Sequence, residues 1–284
     1  MDLLGQSRKL EQLFIPTGSA DRGAAINALK QTFGHVSWFR KSVEMMRKEL
    51  SQSLRYSPKT LNTVTLSEQK VLHKYNRVNI KAQFRFDSAI LTVPLKGTGD
   101  SFPLMSIQFL FNQLAGNMMF LLAVGLPTRT GIAVGICDYL DTGELYGQGT
   151  ARAHRCESKA GYPRIVIHPS FINYLDSFDF TAFSSDERKY CSGMMERIRS
   201  CLERDTDGEI ILSYLCPVFW EQFIVASNHQ EILKRARLFI ANELAKWSKA
   251  NDSELGKRYS LLKEYFKKHN RWVELTAGTA SSNP

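Results

Sequence analysis

The 284-residue chain is long enough to bury a sizeable core as one main domain with an appendage, and its formal charge of +9 points to anionic partners. Acids are interleaved among the Lys and Arg residues and no five-residue run is purely basic, which favours a nucleotide or phosphate ligand over a nucleic-acid groove. The five cysteines form no CxxC pair, the six histidines show no zinc spacing, the longest wholly apolar run is "MMFLLAV", and no secretory leader begins at Met1, so a reduced cytoplasmic protein without a membrane span is expected.

In chain order, "DLLGQS" reads as a turn and "RKLEQLF" as a short helix. From Asp21 to about Leu54, Ile26, Leu29, Phe33, Val36, Phe39, Val43 and Met46 recur at three- and four-residue steps, which predicts one or two helices. Residues 57–66 are polar, contain a proline and read as a loop. "VNIKAQFRFDSAILTVPL" is rich in β-branched and aromatic residues and predicts a strand or strand pair. Its alternation sets Gln83, Arg85 and Asp87 on one face and Phe84 and Phe86 on the other. Residues 101–124 carry Leu104, Ile107, Leu110, Leu114, Met118 and Leu121 at helical spacing, with Pro103 suited to the first turn of a long, largely buried helix.

"GLPTRT" breaks that helix, and "GIAVGICDYL" predicts a strand whose glycines admit a close neighbour. "ELYGQGTARAHRCES" then reads as a glycine turn running into a helix, and "RIVI" as a short apolar strand. This order of strands and helices places the core in the α/β or α+β class. "HQEILKRARLFIANELAKW" and "SELGKRYSLLKEYFKKHNRWVEL" are amphipathic helices, and "TAGTASSNP" is a disordered end.

Two stretches carry possible chemistry. Gly147 and Gly149 before a helix bearing Arg152 and Arg155 suit either an ordinary turn with a solvated basic helix or a phosphate held by backbone N–H groups and the helix dipole. Asp87 in an apolar strand needs a turn to cap, an arginine such as Arg85, or a cation; Asp2 is a second candidate carboxylate. Two converging aspartates would bind a pair of magnesium ions.

Taken together, "DLLGQS", "FDSAILTVP", "RTGIAVG", "LYGQGTARAHRCES" and "YPRIVI" follow in the order seen in class III nucleotidyl cyclases, and the chain most resembles the bacterial anti-phage Pycsar pyrimidine cyclases. The resemblance covers about residues 1–175. It implies an α+β fold with a ferredoxin-like sheet, helices on one side, a mostly helical extension over 176–275 and a disordered tail over 276–284. It also implies conversion of UTP or CTP to a cyclic mononucleotide with release of pyrophosphate, and two Mn²⁺ or Mg²⁺ ions per site.

By the same resemblance, Asp2 and Asp87 match the metal-binding aspartates, and Arg155 the arginine that steadies the pentacovalent phosphorus, a role suited to a rigid fork of N–H donors. Gly147, Gly149, Arg152 and Arg129 are phosphate-binding candidates. Gln83 and Glu144 match the base-reading positions. Gln83 replaces the lysine of adenylyl cyclases and the glutamate of guanylyl cyclases, and its donor and acceptor suit uracil, cytosine or guanine. Ala151 stands where many relatives carry a ribose-orienting asparagine, and only Met1 precedes Asp2 where the family has an apolar first strand. The resemblance further implies a head-to-tail homodimer with shared sites and a separate effector that binds the cyclic nucleotide. Alternative functions are a guanylyl cyclase or a non-catalytic protein that binds a nucleotide or a partner.

Overall fold

The computed structural model describes residues 1–3, 19–53, 65–75, 78–95, 103–224, 228–250 and 252–271. It is an α+β structure with a seven-stranded mixed sheet and, apart from it, a two-stranded hairpin. The elements in order are β1 (Asp2–Leu3), α1 (Ser19–Ser53), α2 (Leu66–Tyr75), β2 (Lys81–Arg85), β3 (Ser88–Thr92), α3 (Leu104–Ala123), β4 (Thr128–Ile132), β5 (Cys137–Tyr139), β6 (Leu145–Gly147) and α4 (Gln148–Ser158). They continue with β7 (Ile165–Ile167), α5 (Pro169–Asp176), α6 (Ser185–Ser200), β8 (Leu202–Arg204), β9 (Ile210–Leu212), α7 (Pro217–Ile224), α8 (His229–Lys249) and α9 (Ser253–Lys268). Asp2 and Leu3 of the expected turn are strand β1; the rest of that turn, the short helix after it, most of the expected loop over 57–66 and the tail over 276–284 lie outside the described residues.

The large sheet has the order β2-β3-β1-β4-β7-β9-β8. Among the described residues only β4 and β7 run parallel, with Gly131 opposite Val166; the other described pairs are antiparallel. A parallel pair needs a crossover, and α4 supplies it between β4 and β7. The connection is tight, because a Cβ on Gly131 would fall 2.7 Å from the backbone nitrogen of Glu157 and closer still to the carbonyl of Ala153. Glycine lets α4 settle directly on the strand.

The apolar stripe of α3 is so broad that the helix is buried nearly all round, as expected for a helix at the centre of a domain. It packs against α1, α6, α7 and α8. Its Leu104, Phe111, Leu114 and Met118 join Ile165, Ile167, Ile211, Tyr214 and Phe266 in the main core. A smaller cluster of Phe39, Val43, Ala89, Leu121 and Leu126 fixes α1 over β3, and the Gln113 side chain donates to the carbonyl of Val43 at 3.0 Å.

Several sequence expectations change. The break after α3 spans residues 124–127, since β4 already starts at Thr128 and includes Arg129. The alternation expected through Asp87 stops at Arg85, because Phe86 and Asp87 are the two turn residues between β2 and β3. A first strand does form, from Asp2 and Leu3 themselves. The β8–β9 hairpin and helices α6 and α7 were not read from the sequence; β9 pairs with β7 and extends the sheet into the stretch after residue 175.

The hairpin is fastened by charge. Arg164, 3% exposed in its side chain, donates at 2.5 Å to Asp205 and at 2.5 Å to Asp207, and its guanidinium lies 4.8 Å from the Tyr162 ring centre. Tyr162 donates to the same Asp205 at 2.6 Å. At the other end of this region, Ser184 and Glu187 form a capping box on α6. Glu187 also accepts from Lys74 at 2.9 Å, tying α2 to α6. Among the described residues no helix is long and apolar enough to cross a membrane.

Candidate functional site

The β2–β3 turn holds the first group of expected site residues. Phe86 occupies the left-handed region at φ 44° and is 88% exposed, an arrangement that bulky side chains adopt only at a cost. Arg40 of α1 donates to its carbonyl at 2.6 Å, and the Ser88 hydroxyl donates to the carbonyl of Arg85 at 2.9 Å. Asp87, next in the turn, is half-buried.

The strand register brings Asp2 to this place. Asp2 pairs with Ser88, the residue after Asp87, and on its other side with Arg129 of β4. The Met1 ammonium donates to the carbonyl of Ala89 at 3.0 Å, while the Ala89 N–H donates to the carbonyl of Met1 at 2.9 Å. The backbones carrying Asp2 and Asp87 thus meet at one end of the sheet. Among the described residues no three His, Cys, Asp or Glu side chains gather into a metal cluster.

Gln83 and Glu144 also come together. Gln83 donates to the carbonyl of Gly143 at 2.5 Å and accepts from the N–H of Leu145 at 3.2 Å, so both ends of its amide grip the β5–β6 hairpin around Glu144. Glu144 itself pairs with Arg85 at 3.1 Å across exposed surface. Arg85 therefore serves Glu144, not Asp87 as one sequence reading allowed. Alongside β2 runs an open groove of about 730 Å³ between α1 and β5, lined by Glu44, Arg47, Lys81, Phe84 and Tyr139 among others. Lys81 Nζ lies 5.2 Å from the Tyr139 ring centre.

At the glycine turn, packing accounts for the glycines. Gly147 has φ 148°, and a Cβ there would meet the carbonyl of Ile136 and, at 2.7 Å, Cα of Cys137. One on Gly149 would meet Cys137 Sγ at 2.8 Å. The first helical N–H, that of Gln148, donates to the carbonyl of Ile136 at 2.8 Å and so faces the protein. Bare backbone at this point lets the hairpin and the start of α4 close on the β4–β5 connection.

The basic face of α4 is separate from that packing. Arg152 is half-buried and donates to the carbonyl of Val134 at 3.0 Å, whereas Arg155 is exposed. Lys159 follows at the same helical spacing, a stripe the sequence carried but which was not read as one. Burial first, then the charges of Arg152, Arg155 and Lys159, hold His168 below the ordinary histidine range. Its Nδ1 accepts from the Ser170 N–H at 3.0 Å, so the neutral ring caps α5 beneath a positive field. Arg129 is used differently: it pairs at 2.5 Å with the buried Glu157, which also meets His154 Nδ1 at 3.0 Å. That contact pins α4 to β4.

The chain thus gathers the expected residues into three groups: Asp2 with Asp87, Gln83 with Glu144, and the two glycines with Arg152 and Arg155. Comparison with protein-family models, with curated proteins and with solved structures finds no match.

Proposed function

We propose that the chain is a class III-like nucleotidyl cyclase that converts a pyrimidine nucleoside triphosphate, UTP or CTP, to a 3′,5′-cyclic mononucleotide. The observation that carries this reading is the register of β1, which opposes Asp2 to Ser88 and so sets it beside Asp87. The antiparallel order β4-β1-β3-β2, built from a strand, two helices, a hairpin, a helix and a strand, matches that of a ferredoxin-like split βαβ unit with one added helix and supports the same reading.

In the proposed reaction the ribose 3′-oxygen attacks the α-phosphorus, the bond from that phosphorus to the bridging oxygen breaks, pyrophosphate leaves and the hydroxyl proton passes to solvent. Positioning and charge stabilisation suffice for such a transfer, so no side-chain nucleophile is required. Asp2 and Asp87 would hold Mn²⁺ or Mg²⁺, which supplies positive charge to the phosphates. Arg155 would donate to the oxygens around the α-phosphorus, with Arg152 adding to the field. By resemblance, aspartates and arginine act from opposite chains of a homodimer.

A non-catalytic nucleotide-binding protein is the second reading. It is favoured by one observation: both ends of the Gln83 amide are bound within the chain, so reading a base with it requires exchanging those bonds. The test is incubation with Mn²⁺ and each of ATP, GTP, CTP and UTP, with products identified by mass spectrometry. Cyclic UMP or cyclic CMP that disappears in Asp87→Ala, and returns in part when Asp87→Ala and Arg155→Ala chains are mixed, supports the pyrimidine cyclase. Cyclic GMP would make it a guanylyl cyclase. Nucleotide binding indifferent to metal, with no product, would replace the enzyme by a binding protein.

A further inference from the structure

One edge of the large sheet is strand β2, and the register fixes which of its backbone groups are unbonded. Opposite residues of an antiparallel pair alternate between those that exchange two hydrogen bonds and those that exchange none. On β3, the Ala89 N–H donates to the carbonyl of Met1 at 2.9 Å and the Ala89 carbonyl accepts from the Met1 ammonium at 3.0 Å, so both groups point away from β2. Phe84, which stands opposite Ala89, therefore turns its own N–H and carbonyl away from β3, and Ala82, two residues back, does the same. Among the described residues no hydrogen bond reaches these two donors and two acceptors.

The open groove alongside β2 exposes this edge between two unlike walls. Phe84 packs on the cluster that fixes α1, so the side chains of Ala82 and Phe84 look toward that helix, where Glu44 and Arg47 neutralise each other at 2.6 Å. Lys81 and Gln83 look the other way, toward the β5–β6 hairpin: Gln83 is bonded to it, and Lys81 Nζ lies beside the exposed Tyr139 ring. Lys81 is itself exposed and has no carboxylate partner among the described residues, in a chain of net charge +9. A single extended strand fits between α1 and the hairpin and meets the unbonded groups, whereas the edge of a second sheet, covered by its own layers, is kept out by both walls.

We propose that this edge is a docking site for an extended peptide of alternating apolar and acidic residues, which adds a strand to β2. Main-chain bonds to Ala82 and Phe84 supply the affinity, and the alternate side chains the selectivity. Apolar residues of the peptide turn toward Phe84 and the α1 wall, and acidic ones toward Lys81, the cation that a carboxylate meets on the hairpin side. A charged side chain on a bare edge also discourages the wrong strand, and a lysine there turns basic peptides away. Asp2, Asp87 and Arg155 do not line the groove, so the site stands or falls apart from the cyclase reading.

Fluorescence anisotropy of a fluorescein-labelled, capped peptide of three Val–Glu repeats, titrated with the whole protein without nucleotide or metal, tests this. Saturable binding is expected, and binding of three Val–Lys repeats should be several-fold weaker. Methylating the backbone nitrogens of one alternate set, the valines or the glutamates, should weaken binding about tenfold or more, and methylating both sets should abolish it. Ala82→Pro removes an outward N–H that nothing in the described chain uses, so it should keep the far-UV circular dichroism and weaken binding about tenfold. Lys81→Glu should reverse the preference to the Val–Lys peptide. No binding of the Val–Glu peptide at about 1 mM, or binding indifferent to methylation of both sets, would overturn the proposal. So would a dimer in sedimentation that Ala82→Pro dissolves, since the edge would then belong to a second copy. The methylated peptides decide the matter on the unmutated protein even if a variant fails to fold.

Discussion

Gly131→Ala tests the seat of the basic helix. The new methyl carbon would lie 2.7 Å from the backbone nitrogen of Glu157 and nearer to the carbonyl of Ala153, where ordinary contact begins at 3.4 Å. Neither atom belongs to a side chain that can swing away, so α4 must retreat from β4 by roughly 1 Å or more. Overpacking of this kind costs about 3 kcal/mol, the upper part of the usual range, and the Arg129–Glu157 pair is stretched as well. With a urea dependence of about 3 kcal/mol per molar for a chain of this size, the unfolding midpoint should fall by about 1 M. Gly143→Ala is the control, because its φ is +78° but nothing lies within 4 Å of the added carbon. It should cost only about 1–2 kcal/mol for the left-handed backbone. Parallel urea titrations by tryptophan fluorescence and far-UV circular dichroism measure both. A Gly131→Ala midpoint within about 0.3 M of the parent would refute the claim that α4 rests on bare backbone.

Glu187→Gln should cost about 1–2 kcal/mol at neutral pH, chiefly by weakening the capping box; the exposed Lys74 partner adds less than about 1 kcal/mol. Hydrogen bonds from Lys74 and then Ser184 pull the Glu187 carboxyl down to about 2, against an ordinary value of 4.5. A depressed carboxyl stabilises the fold above its unfolded value, so this contribution is full above pH 4.5 and is lost as pH falls toward 2. Acid titration of the parent should show that loss and the glutamine variant should not; equal acid sensitivity would remove Glu187 from the account. Arg164→Ala should cost about 3–5 kcal/mol by thermal or urea unfolding, since it strands the buried Asp205. Asp207→Asn should cost much less, because Asp207 is 47% exposed. Equal losses in the two variants would show that burial of the pair does not set its worth.

What the sequence disclosed depended on how local the signal was. Helix α3 was plain because apolar residues repeat over 20 residues, and β2–β3 because β-branched and aromatic residues crowd one stretch. The β8–β9 hairpin was hidden: its strands have three residues each, and its polar turn has meaning only once Arg164 arrives from a distant segment. Gln83 and Glu144 were named separately, but the amide that bridges β2 to the hairpin depends on a contact across 60 residues. The glycines at 147 and 149 drew attention as a phosphate turn, whereas their immediate reason is steric, the Cys137 backbone and sulfur lying where a Cβ would go. The arginine stripe of α4 was visible in its spacing, but the division of labour between Arg129, which holds the helix, and Arg155, which faces solvent, required the fold.

The strand that carries Asp2, described over Asp2–Leu3, stands between β3 and β4 and joins the β2–β3 hairpin to the rest of the sheet. In mechanical terms it is a seam, and among the described residues its stitches are the Asp2–Ser88 rung, the pair of bonds between Met1 and Ala89, and the two rungs to β4. The backbones of Asp2 and Asp87 are therefore held together across this seam, by bonds that any parting of the hairpin from the sheet would break. In the cyclase proposed above, a cation held by both residues would add a stitch to it, so that metal binding and the cohesion of the sheet would be linked.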